Sequence, residues 1–141
     1  MRWIDRLFGK RLTLNDIEFG QIEYDDGIWT ATRVAERDFT VRIVADDRGP
    51  TRPQRQLFQR LLGSLNSFMR EAECFLKQHP DIANEISDTK LGLHAVEIAN
   101  PAEPGWGQFA IELADTDPLL ADAVYGVRFH DDAPTTWYVD H

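Results

Sequence analysis

The chain has 141 residues, 43% hydrophobic and 11% aromatic, which suits one globular domain (residues 1–141) and excludes disorder over most of its length. Fifteen lysines and arginines against 24 aspartates and glutamates leave a net charge of −9, a field that repels a phosphate backbone and argues against nucleic-acid binding. The single cysteine, Cys74, excludes an internal disulfide and a cysteine-based zinc site. No apolar run approaches the roughly 18 residues of a membrane span, and no secretory leader is evident, so the cytoplasm is the expected compartment.

The charge is segregated. Residues 1–11 carry +3, 12–47 carry −6, 48–77 carry +4 and 80–141 carry −10. The acidity of the last stretch would serve solubility and would attract a basic partner.

In residues 2–9, Trp3, Ile4, Leu7 and Phe8 share one helical face, with Gly9 as a stop. Two turns bury too little to hold a membrane alone, so this short helix (within 1–11) is expected to dock on the domain. Arg2, Arg6, Lys10 and Arg11 leave weak interfacial lipid contact as the second reading.

From Leu12 the pattern turns to period two, and residues 12–47 read as a strand meander. Ile17-Glu18-Phe19 leads through Gly20, read as a bulge, into Ile22-Glu23-Tyr24. Asp25-Asp26-Gly27 forms a hairpin loop, followed by a return strand over 28–34 and another over 39–43.

Residues 51–78 predict one long amphipathic helix. Thr51 and Gln54 have capping-box spacing, and Pro53 sits in the tolerant first turn. Leu57, Phe58, Leu61, Leu62, Leu65, Phe68, Met69, Ala72, Phe75 and Leu76 fall on one arc of roughly 140°. Leu61, Leu65, Phe68 and Ala72 are therefore expected to be buried, with Arg60 and Arg70 exposed. Such an apolar face can also be covered by a second copy, which makes a homodimer one expected assembly. A short helical turn follows at 81–86.

Strands resume over 90–141. Leu91–Ile98 should carry an irregularity, because its apolar parity changes between Leu93 and Val96. Trp106 lies in a Pro/Gly loop, the segments at 108–113 and 125–129 alternate, and Asp131-Asp132 turns the chain into a last strand over 136–139. The expected class is α+β: a largely antiparallel β-β-β-α-β-β-β sheet with one long helix on one face.

No phosphate loop, dinucleotide fingerprint, nucleophile elbow or metalloprotease helix is present, so no cofactor is implied. His130, Asp131 and His141 form the one candidate metal set, which would support metal-assisted hydrolysis if the final hairpin brought them together. Consecutive strand residues point to opposite faces, and the aspartates have a simpler role in the turn. Among the aromatic residues Trp29, Trp106, Trp137 and Tyr138, Trp106 is the best candidate for an exposed anchor.

The element order, the Thr51–Leu76 helix and the closing Tyr125-Gly126-Val127-Arg128-Phe129 hairpin with Asp140 resemble small uncharacterised bacterial domains. Some of these are immunity proteins of toxin systems, and the resemblance implies a binding role with no catalytic residues. The expectation is a non-catalytic module that binds a basic protein through Trp106, Asp115, Asp117 and Asp122. An acidic domain whose charge serves solubility alone is the plainer alternative.

Overall fold

The structure, a computed structural model, describes residues 12–32, 38–103, 105 and 107–141. The short helix expected over 2–9 and the loop residue Trp106 lie outside them.

Eight strands form a single sheet in chain order. These are β1 (Leu12–Asp16), β2 (Gly20–Asp25), β3 (Ile28–Ala31), β4 (Thr40–Val44), β5 (Leu91–Ile98), β6 (Phe109–Asp115), β7 (Val124–His130) and β8 (Ala133–Asp140). Between β4 and β5 run three helices, α1 (Arg52–Gly63), α2 (Leu65–Lys77) and α3 (Pro80–Ile86). Every neighbouring pair is antiparallel except β4 and β5, which run parallel with Ile43 opposite Ile98. Tight turns can only reverse a chain, so the one parallel pair occurs where the helices carry the chain back across the sheet.

The expected β-β-β-α-β-β-β architecture with one long helix is therefore incorrect. The sheet is mixed, with four strands on each side of a three-helix crossover. On the C-terminal side, each of the four alternating runs forms its own strand. On the N-terminal side, Ile17-Glu18-Phe19 is not part of a strand. It is a turn joining β1 to β2, in which the Asp16 carboxylate accepts the N–H groups of Glu18 and Phe19 at 2.9 and 3.2 Å. Gly20, with φ 76°, leaves this turn and is not a bulge.

The long helix divides at Gly63-Ser64, where Ser64 takes φ −132°, ψ 24° and is both the end of α1 and the start of α2. Glycine and serine are weak helix formers, and a twisted sheet curves away beneath a straight rod. The break lets each half follow its own part of the sheet. Phe58 of α1 packs on Phe19 at 4.6 Å between ring centroids. Phe68 of α2 meets Phe109 and Phe129 edge-on at 5.2 and 5.6 Å. Leu61, Phe68 and Ala72 are buried as expected, and Arg60 and Arg70 are exposed. Leu65, beside the break, is only half-buried.

Local expectations hold where the chemistry is local. Gln54 N–H donates to Thr51 Oγ1 and Thr51 N–H to Gln54 Oε1, completing the capping box. The anticipated irregularity in β5 is a register shift between Leu93 and Ala95, which keeps Leu91, Leu93, Val96 and Ile98 on the helix-covered face.

Phe129 is fully buried, stacked on Phe109 at 4.8 Å. Phe129→Ala is expected to cost about 3–5 kcal/mol by urea unfolding, whereas Leu119→Ala, at a 93% exposed position, should stay within about 0.5 kcal/mol.

Candidate functional site

The β6–β7 connection turns through Asp115-Thr116-Asp117-Pro118-Leu119-Leu120-Ala121-Asp122. Aspartate side chains build it. Asp115 Oδ1 accepts the N–H of Asp117 at 2.9 Å, and Asp117 Oδ1 accepts that of Leu119 at 3.0 Å. Backbone bonds from Leu120 to Asp117 and from Asp122 to Leu120 continue the fold of the loop. Thr116 N–H anchors its start to the Lys90 carbonyl at 2.9 Å.

The loop presents Leu119 and Leu120 to solvent, 93% and 64% exposed. Asp115, Asp117 and Asp122, selected from sequence for their charge, thus flank two leucines that periodicity gave no reason to single out. A Pro-Leu-Leu run between aspartates, outside any alternating segment, was the available signal.

The negative potential reaches the adjoining strand. Tyr125 on β7 donates to Glu85 of α3 at 3.0 Å. Burial, that hydrogen bond and the charges of Glu85, Asp122 and Asp115 push its phenol up to about 12.

A second polar group lies on the face of the sheet opposite the helices. Arg42 on β4 donates through Nε to Glu97 on β5 at 2.9 Å and through Nη2 to Glu112 on β6. Tyr138 on β8 reaches Glu112 at 2.5 Å by crossing β7 at Gly126, where any β-carbon would collide with its ring. Arg128 sits over that ring, 4.7 Å from its centroid. Burial, the largest influence on Arg42, favours losing its proton, but the paired carboxylates outweigh it and the guanidinium is held above its usual range. Burial and the Glu112 hydrogen bond raise the Tyr138 phenol well above the ordinary tyrosine value. These bonds tie β4, β5, β6 and β8 together. Sequence reading missed the group, because residues 42, 97, 112 and 138 meet only across the assembled strands.

The candidate metal set does not converge. His130 ends β7 beside the β7–β8 turn, whereas His141 follows Asp140, which pairs with Val124 at the opposite end of β7. Six residue steps along the strand separate those ends, about 20 Å. His130 Nε2 lies 3.6 Å from Asp131, Asp131 and Asp132 occupy the turn at φ 49° and 62°, and Asp132 pairs with Arg60. Among the described residues no three histidine, cysteine or carboxylate side chains are grouped to hold a metal. Trp29 is a core residue whose indole N–H donates to the Asp46 carbonyl at 2.8 Å, and Trp137 is half-buried near His79. Cys74 is exposed. No helix among the described residues is long and apolar enough to cross a membrane.

A raised phenol pKa means that the folded chain holds a proton which the unfolded chain releases above pH 10. The associated stability is present below pH 10 and is lost as the pH rises through the folded value. Urea unfolding of the wild type should therefore weaken steeply above pH 10, and Tyr138→Phe should flatten that decline while retaining the contribution of Tyr125.

The chain matches no protein-family model, no curated protein and no solved structure.

Proposed function

We propose that the chain is a non-catalytic cytoplasmic module that binds a basic protein through its β6–β7 loop. The observation that carries this reading is Leu119, 93% exposed in an internally hydrogen-bonded loop with Asp115, Asp117 and Asp122 around it. Exposed apolar side chains rimmed by charge are the composition of a protein contact, with the leucines entering a pocket and the carboxylates selecting the partner. The partner is basic because residues 80–141 carry two bases against twelve acids. Such a field accelerates encounter and is screened as salt rises. A toxin neutralised by this chain is one specific version, supported by the resemblance to immunity domains alone.

The test is capture of cytoplasmic proteins on the immobilised chain, with two paired variants beside the wild type. Leu119→Ser/Leu120→Ser should weaken capture of the specific partner about tenfold or more at every salt concentration. Asp117→Asn/Asp122→Asn should chiefly slow association and reduce its salt dependence. A partner held equally by wild type and the leucine variant would overturn the assignment of the loop.

A further inference from the structure

A pocket of about 440 Å³ opens between the flank of α2 and the end of the sheet where β5 begins and β6 finishes. It is lined by Asn66, Met69, Arg70 and Glu73 from α2, and by Leu91 and Leu113 from β5 and β6. The helix residues follow spacings of three and four, so they form one wall along a single face. Leu113 is buried, and Met69 and Leu91 are half-buried against the core, which gives an apolar floor. Asn66, Arg70 and Glu73 make the polar rim. The volume lies within the range of small-molecule sites, and so does the arrangement of an apolar body with a few polar groups.

The rim groups are unequal in what they have left to bind. Glu73 accepts from Lys77 one turn along the helix at 3.5 Å. Among the described residues, the other basic side chains with acidic neighbours on these helices are Arg55, with Asp16, and Arg60, with Asp132. Neither the Arg70 guanidinium nor the Asn66 amide has a side-chain partner among the described residues. Two unengaged donors one turn apart above an apolar floor suit a planar anion carrying a hydrocarbon body. They lie in the one stretch away from the N-terminus, residues 48–77, where bases outnumber acids six to two, against the acidic trend of the chain.

We propose that this pocket binds a small aliphatic carboxylate, with its head on Arg70 and Asn66 and its chain on Met69, Leu91 and Leu113. The site is separate from the leucine loop, and either assignment can stand without the other.

The experiment is titration of the full chain with octanoate, followed by the methyl resonances of Met69, Leu91 and Leu113 in carbon–proton NMR spectra. Octanol is the uncharged control. Octanoate should shift those methyls with a dissociation constant of about 1 mM or tighter. Arg70→Gln, an exposed substitution that leaves the core intact, should weaken octanoate about tenfold and leave octanol unchanged. Three results would overturn the proposal: no shift of the pocket methyls at about 10 mM octanoate, equal affinity of Arg70→Gln for octanoate, or octanol binding the wild type as tightly as octanoate.

Discussion

The structure turns on the amide of one side chain. Gln54, 1% exposed, donates through Nε2 to the carbonyls of Val44 at 2.8 Å and Ala99 at 3.0 Å, immediately after the paired residues of β4 and β5. These carbonyls lie where the parallel ladder of β4 and β5 ends, just beyond the Ile43–Ile98 pair. A buried unpaired carbonyl costs about 1–3 kcal/mol, so one amide that satisfies two of them holds the seam between the halves of the sheet. The same side chain closes the capping box with Thr51, so the start of the crossover helix and the parallel junction are a single construction.

From that junction the two faces of the sheet are completed differently. One face takes the helices, broken at Gly63-Ser64 so that Phe58 and Phe68 reach separate parts of the core. On the other face the central strands are covered by their own side chains. Ala95, Ala110 and Glu112 are buried there, and the Arg42–Glu97–Glu112–Tyr138 group spans β4 to β8 above them. A buried charge is tolerable only when paired and hydrogen-bonded, and the buried Glu112 carboxylate meets that condition through Arg42 and Tyr138. Because its bonds join β4, β5, β6 and β8, the group acts as a strap across the strands.

The charge segregation seen along the chain persists in space. Three bases of the helices are engaged structurally, Arg60 with Asp132, Lys77 with Glu73 and Arg55 with Asp16, whose carboxyl burial would raise, yet the hydrogen bonds of Arg55, Glu18 and Phe19 hold it below the ordinary range. Three acids of the C-terminal half, Glu85, Asp115 and Asp122, instead gather at one end of the sheet, where all act on Tyr125. Leu119 and Leu120 stand exposed beside that field, and the proposed recognition surface rests on this juxtaposition.

Local chemistry was legible in the sequence. The Thr51–Gln54 box, the hairpin loop with positive φ at Gly27, the turn at Asp131-Asp132, and the parity change between Leu93 and Val96 each depend on residues within a few positions of one another, and each is realised. The acidic character of Asp115, Asp117 and Asp122 was equally plain, though Leu119 and Leu120 beside them went unmarked. What periodicity could not decide was anything requiring a distant partner. An apolar arc over residues 57–76 is the same for one straight helix or for two segments meeting at Ser64; Gly63-Ser64 weakens the helix there, and the curvature of the sheet turns that weak point into a break. Alternation places Val41 and Val96 on strands but is silent on whether β4 and β5 run parallel; the helical crossover decides that. His130 and His141 stand close in the sequence yet about 20 Å apart, whereas Arg42 and Glu112 lie 70 positions apart and touch. Sequence determines what each short segment can become; tertiary structure alone decides which segments meet, because the energy of meeting depends on surfaces that exist only after the chain has folded.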